Sequence, residues 1–150
     1  MRAIRKIILH CSDSSFGTVD IIRDWHTKPP FNFADIGYHY VIQNGFRSGG
    51  NGVYLPENDG YIDYARPLSR AGAHCKGDNN DSIGICLIGK SKFSCEQWKS
   101  LLMLIYKLRE KFGKIPIGGH YEMKSGIEQG KTCPNIDMEQ FRRDFIDVEI

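Results

Sequence analysis

The chain has 150 residues, 41% of them hydrophobic and 25% charged, the size and apolar content of one globular domain with a core of its own. Its 20 basic and 18 acidic side chains are spread along the length, leaving a net charge of +2 and no clustered Lys/Arg footprint of a nucleic-acid binder. No run approaches the roughly 18 apolar residues of a membrane span, and Ile7-Ile8-Leu9 is too short for a signal-peptide core, so synthesis in the cytoplasm without an export signal is expected.

Lys6 to Cys11 reads as a short buried strand with His10 at its C-terminal end, closed by the turn formers Ser12 to Ser15. Thr18 then caps a helix with Val19, Ile22 and Trp25 at helical spacing, and Lys28-Pro29-Pro30 stops it. Tyr38 to Gln43, aromatic and β-branched, predicts a strand, with Asn44-Gly45 as a hairpin signal after it. By strand alternation His39 should point away from Tyr38. Beyond the glycine-rich stretch Ser48 to Gly52, Tyr61 to Tyr64 alternates as a returning strand, which leaves 46–60 as an extended hairpin or surface loop.

Ser82 to Gly89 is nearly continuous apolar sequence, as a central strand covered on both faces requires. Ser94-Cys95-Glu96-Gln97 has the capping-box pattern and opens the clearest helix, its apolar face built from Trp98, Leu101, Leu102, Ile105 and Leu108 to about Phe112. Ile115 to Gly118 suits a short strand, 120–133 reads as polar loop, and Asp137 to Ile146 as a final helix. Strands separated by helices, with one hairpin, define a single α/β domain with a central mixed sheet flanked by helices.

Five cysteines (11, 75, 86, 95 and 133) cannot all pair, which argues against a disulfide scaffold; Cys11 and Cys86, inside apolar runs, read as small buried hydrophobes. His10 and His120 both end strands, and Cys133 follows His120 on the same segment. Spacing alone leaves the choice of ligands open, because there is no CxxC pair and no HExxH helix. On spacing alone a hydrogen-bonded histidine at a strand end is the preferred reading of His10 over a metal ligand. His26, at a helix end, reads as a surface or capping residue.

The strings Ile8-Leu9-His10-Cys11-Ser12, Ile36-Gly37-Tyr38-His39-Tyr40-Val41-Ile42, Ala73-His74-Cys75-Lys76-Gly77, Asp81 to Gly89, Gly119-His120-Tyr121-Glu122 and Lys131-Thr132-Cys133-Pro134 occur in that order. Together they resemble the N-acetylmuramoyl-L-alanine amidase family, which includes small phage amidase lysozymes and is related to animal peptidoglycan recognition proteins. The resemblance implies a zinc ion held by His10, His120 and Cys133, with Tyr38 and Lys131 completing the catalytic set and His74 lining the substrate groove. It implies hydrolysis of the amide between N-acetylmuramic acid and L-alanine of peptidoglycan, by a monomer with no nucleic-acid partner and no stable membrane insertion. A wall-cutting enzyme without an export signal would reach its substrate through a membrane lesion or dedicated secretion.

Two other readings stand beside this one. A non-catalytic peptidoglycan-binding module of the same fold usually lacks the cysteine ligand, which is present here as Cys133. A cysteine-nucleophile hydrolase would use Cys133 or Cys75 with a histidine base, and it would keep its activity in chelator.

Overall fold

The computed structural model describes residues 2–49 and 52–147. Five strands, β1 (Lys6–Cys11), β2 (Tyr40–Phe46), β3 (Tyr54–Tyr64), β4 (Ser82–Leu87) and β5 (Ile117–Gly119), form one mixed sheet in the order β3-β2-β4-β1-β5. β1 runs parallel to β4 and β5, and β2 parallel to β4, while the β2–β3 hairpin is antiparallel.

Alternation along the strands divides the core in two. Ile7 and Leu9 of β1, Ile83, Ile85 and Leu87 of β4, and Tyr40 and Ile42 of β2 face α2 (Cys95–Phe112), where Leu101, Leu104, Ile105 and Leu108 meet them. Met138 and Phe141 from α4 (Met138–Phe141) complete that side. On the other face Val41, Cys86 and Ile88 pack with Ile36 and with Ile22 of α1 (Val19–Thr27). His10, one residue beyond Leu9, therefore emerges on the α1 face.

The helix signals act as the sequence predicts. The Thr18 hydroxyl accepts from the Ile21 amide at the start of α1. At α2 the Ser94 hydroxyl accepts from the Gln97 amide, and the Gln97 carbonyl oxygen accepts from the Ser94 amide in return. Gln97 can be fully buried because its side-chain nitrogen also donates to the carbonyls of Ile42 and Ile88, tying the helix to β2 and to the residue that follows β4.

Several boundaries differ from expectation. β2 begins at Tyr40, so Tyr38 and His39 lie before the strand and alternation does not govern them. Asn44-Gly45 makes no turn: β2 runs through it to Phe46 with register shifts on both sides of Asn44. Gly45, at φ +91°, supplies the bend, and a Cβ there would lie 2.5 Å from the Tyr54 ring. β3 starts at Tyr54, so the second half of 46–60 is strand rather than loop; Gly50 and Asn51 of the glycine-rich stretch lie outside the described residues. Leu104 rather than Leu102 is the buried position of α2. The segment expected as loop from 120 to 133 holds a 3₁₀ turn (His120–Glu122) and α3 (Lys124–Glu128). The final helix is a short α-helical turn that widens into π geometry over Arg142–Ile146. Among the described residues no helix is long and apolar enough to cross a membrane.

Candidate active site

Parallel register assembles the site. Leu9 of β1 pairs with Gly119 of β5, so the residues that follow them, His10 on β1 and His120 just past β5, emerge side by side with ring centroids 4.8 Å apart. Cys133 returns to the same point because its carbonyl accepts from the Tyr121 amide at 3.0 Å, while its Sγ accepts from the Cys11 amide at 3.0 Å. One ligand atom from each of His10, His120 and Cys133 lies within 4.8 Å of the others, a span that one ion with bonds of about 2.0–2.3 Å can draw together.

The donor set fits zinc chemically. Burial and the neighbouring imidazoles of His74, His120 and His26 hold His10 well below its ordinary pKa, and burial with the nearby Lys131 charge lowers His120. Both rings are thus neutral, as ligands must be. Cys133 is pushed up by its hydrogen bond with the Cys11 thiol and by burial, so it is a neutral thiol until a cation draws off its proton. The Cys11 amide aimed at its sulfur is placed to stabilise the resulting thiolate.

The remaining expected residues lie around this trio. Tyr38 stands with its ring 5.0 Å from that of His10, and burial, then the thiols of Cys86, Cys133 and Cys11, push its phenol well above the ordinary value. It is a protonated donor throughout the physiological range. Lys131 is exposed and lines the same cleft. His74 borders the cleft yet is only 8% exposed: its Nδ1 lies 2.8 Å from His10 Nε2 and its Nε2 lies 3.2 Å from Ser82 Oγ. Both ring nitrogens face protein partners, so His74 has no free nitrogen to offer a substrate. His39 sits behind His74, its Nδ1 accepting from the Gly84 amide, outside the cleft.

The cleft has a volume of about 760 Å³ and includes groups that sequence reasoning did not single out. Trp25, Phe31 and Phe33 form an aromatic wall, with Trp25 38% and Phe31 55% exposed, ample for stacking on a sugar or peptide face. His26 belongs to this wall: its ring lies 5.5 Å from Phe33 and 5.2 Å from Tyr38, and its Nδ1 accepts from the Gly37 amide. It is no mere surface cap. Lys76 and Asn79 also line the cleft. The wall comes from α1 and the loop after it, where neither periodicity nor motif marks a position for function.

Cys75 makes a poor nucleophile. Its thiol contacts Ser125 Oγ and Asp78 rather than an imidazole, and burial raises its pKa.

A mixed sheet with helices on both faces thus carries, at its strand ends, a His-His-Cys group that could hold one metal ion. The model for the N-acetylmuramoyl-L-alanine amidase family matches residues 1–136, and the chain belongs to that family. The endolysin of Escherichia phage T7 is 30% identical over 146 residues, covering 90% of this chain and 83% of its own, and that of Klebsiella phage KP32 is 26% identical over 148 residues, covering 91% and 83%. Among solved structures, the amidase LysC from Clostridium intestinale superposes with a TM-score of 0.73 at 22% identity, covering 94% of this chain and 84% of its own. Bumblebee PGRP-SA reaches 0.72 at 19% identity, covering 98% and 84%.

Proposed function

We propose that the chain works as one domain, a zinc-dependent N-acetylmuramoyl-L-alanine amidase of endolysin type that frees stem peptides from the glycan strands of peptidoglycan. The observation that carries this reading is the meeting of His10, His120 and Cys133 at the head of the cleft, two neutral imidazoles and a thiol within 4.8 Å. Zinc held by His10, His120 and Cys133 would supply Lewis acidity for the scissile carbonyl and for water near neutral pH.

This chain's own residues do the rest. The Tyr38 phenol, protonated and beside His10, donates a hydrogen bond that orients the reacting oxygen. Lys131 holds a fixed positive charge at the mouth of the cleft, where it stabilises negative charge developing on the carbonyl oxygen. The aromatic wall of Trp25, Phe31 and Phe33 positions the substrate and keeps water from one flank. The enzyme acts as a monomer on the cell wall, reached through a membrane lesion or dedicated secretion. Presence of Cys133 favours cutting over binding alone.

The test is a digest of purified peptidoglycan analysed by mass spectrometry. Free stem peptides beginning with L-alanine are expected, lost in chelator and restored by zinc. New reducing sugar ends would mean a glycosidase, and cleavage that persists in the metal-stripped protein would mean thiol chemistry.

A further inference from the structure

Behind His10 runs a chain of hydrogen bonds whose direction is fixed at its far end. The Ser82 hydroxyl lies 2.6 Å from the backbone carbonyl of Asp78, which can only accept, so the single Ser82 proton is committed there. Ser82 Oγ must then accept from His74, placing the proton of that neutral ring on Nε2. His74 Nδ1 is left as a bare lone pair 2.8 Å from His10 Nε2, and it must accept from it. His10 therefore carries its proton on Nε2 and leaves Nδ1 free.

We infer that His74 and Ser82 are positioning residues that lock His10 in the Nε2–H tautomer and aim its Nδ1 lone pair at the metal. This inference rests on the zinc reading above. A ligating histidine gains basicity and a fixed ring orientation when its other nitrogen donates to a partner. That partner is usually a carboxylate or a carbonyl; here it is a second imidazole, itself polarised through Ser82 by a backbone carbonyl.

The slot for that imidazole is built into the backbone. A Cβ at Gly84 would lie 2.6 Å from His74 Cγ, and one at Gly72 would lie 2.5 Å from His74 Cδ2. Contacts that short do not occur, so only glycine at these positions admits the ring where it stands. The Asn79 side-chain oxygen accepts from the amides of both His74 and Cys75, fixing the main chain from which the ring projects. Ser82 and Gly84 lie on β4 directly beside Lys6 and Ile8 of β1, so the strand pair that carries His10 also carries its support.

Long-range ¹H–¹⁵N correlation spectra of the metal-free protein read the tautomers directly, and competition with a chromophoric chelator reads zinc affinity. We expect His10 and His74 both as Nε2–H forms in the wild type, and a mixed His10 population in Ser82→Ala. His74→Leu should weaken zinc binding by about 10–100-fold with the fold intact by circular dichroism. His74→Asn, whose Oδ1 replaces the Nδ1 acceptor, should recover most of that loss, which filling the slot alone would not do. Wild-type His10 in the Nδ1–H form would overturn the inference, as would a folded His74→Leu protein that binds zinc as tightly as the wild type. Should that variant fail to fold, the wild-type and Ser82→Ala spectra decide. A wild-type protein that takes up no zinc refutes the metal reading instead, and leaves the tautomers to be judged by themselves.

Discussion

Lys131 lines the same cleft as His10, His120 and Cys133, and the proposed roles give it separable work that substitution should part from theirs. In the proposed reaction Lys131 contributes charge rather than ligation, so Lys131→Met is expected to keep its zinc and lose on the order of a hundredfold in kcat. Equal loss of zinc and activity in that variant, measured by metal analysis beside the peptide-release assay, would show a structural role instead. The residues of this site differ in how legible they are. His10, His120 and Cys133 are marked by ordered motifs, although the meeting of His10 with the distant His120 depends on the Leu9–Gly119 register, which no local pattern encodes. His74 is marked by its motif too, but its place beneath His10 is visible only once β4 lies beside β1. Trp25 reads as helix packing and Phe31 and Phe33 carry no signal, because nothing in an isolated aromatic says whether it faces a core or a cleft.

At the scale of elements, α2 has the most complete local signals. Ser94 caps it, joins the capping box and also donates to the Asp59 carboxylate on β3. Ser94→Ala should therefore cost about 1–2 kcal/mol in unfolding free energy, at the upper end for a cap, and a urea titration showing under about 0.3 kcal/mol would contradict the coupling to β3. The elements that escaped the sequence did so for tertiary reasons. Asn44-Gly45 has turn chemistry, yet the hairpin partner continues to Tyr54 and converts the signal into a bulge. The five-residue helix α3 contains Gly126, a poor helix former that read as loop; a Cβ there would collide with the His120 carbonyl, so close packing against the ligand segment holds this helix rather than propensity.

For the molecule as a whole, buried imidazoles set the response to acid. Burial pushes His39 down to about 4, against an ordinary value of 6.5, and its Nε2 lies 3.0 Å from the Arg2 guanidinium. The folded state resists a proton that the unfolded chain accepts. Stability from this group is thus complete above about pH 6.5 and is lost as pH falls toward 4, by on the order of 3 kcal/mol. Denaturant midpoints measured from pH 7.5 to 4 should decline across that window, and His39→Gln should flatten the decline; an unchanged slope in the variant would assign the effect elsewhere.

The strand order leaves β3 and β5 as the two margins of the sheet. β5 offers only three residues, and β3 interrupts its ladder with Pro56, which has no amide proton, and adds the carboxylates of Glu57, Asp59 and Asp63. A second copy approaching either margin finds a template too short to extend or one broken by proline. At both margins of the described sheet, joining copies edge to edge into ribbons is thereby disfavoured.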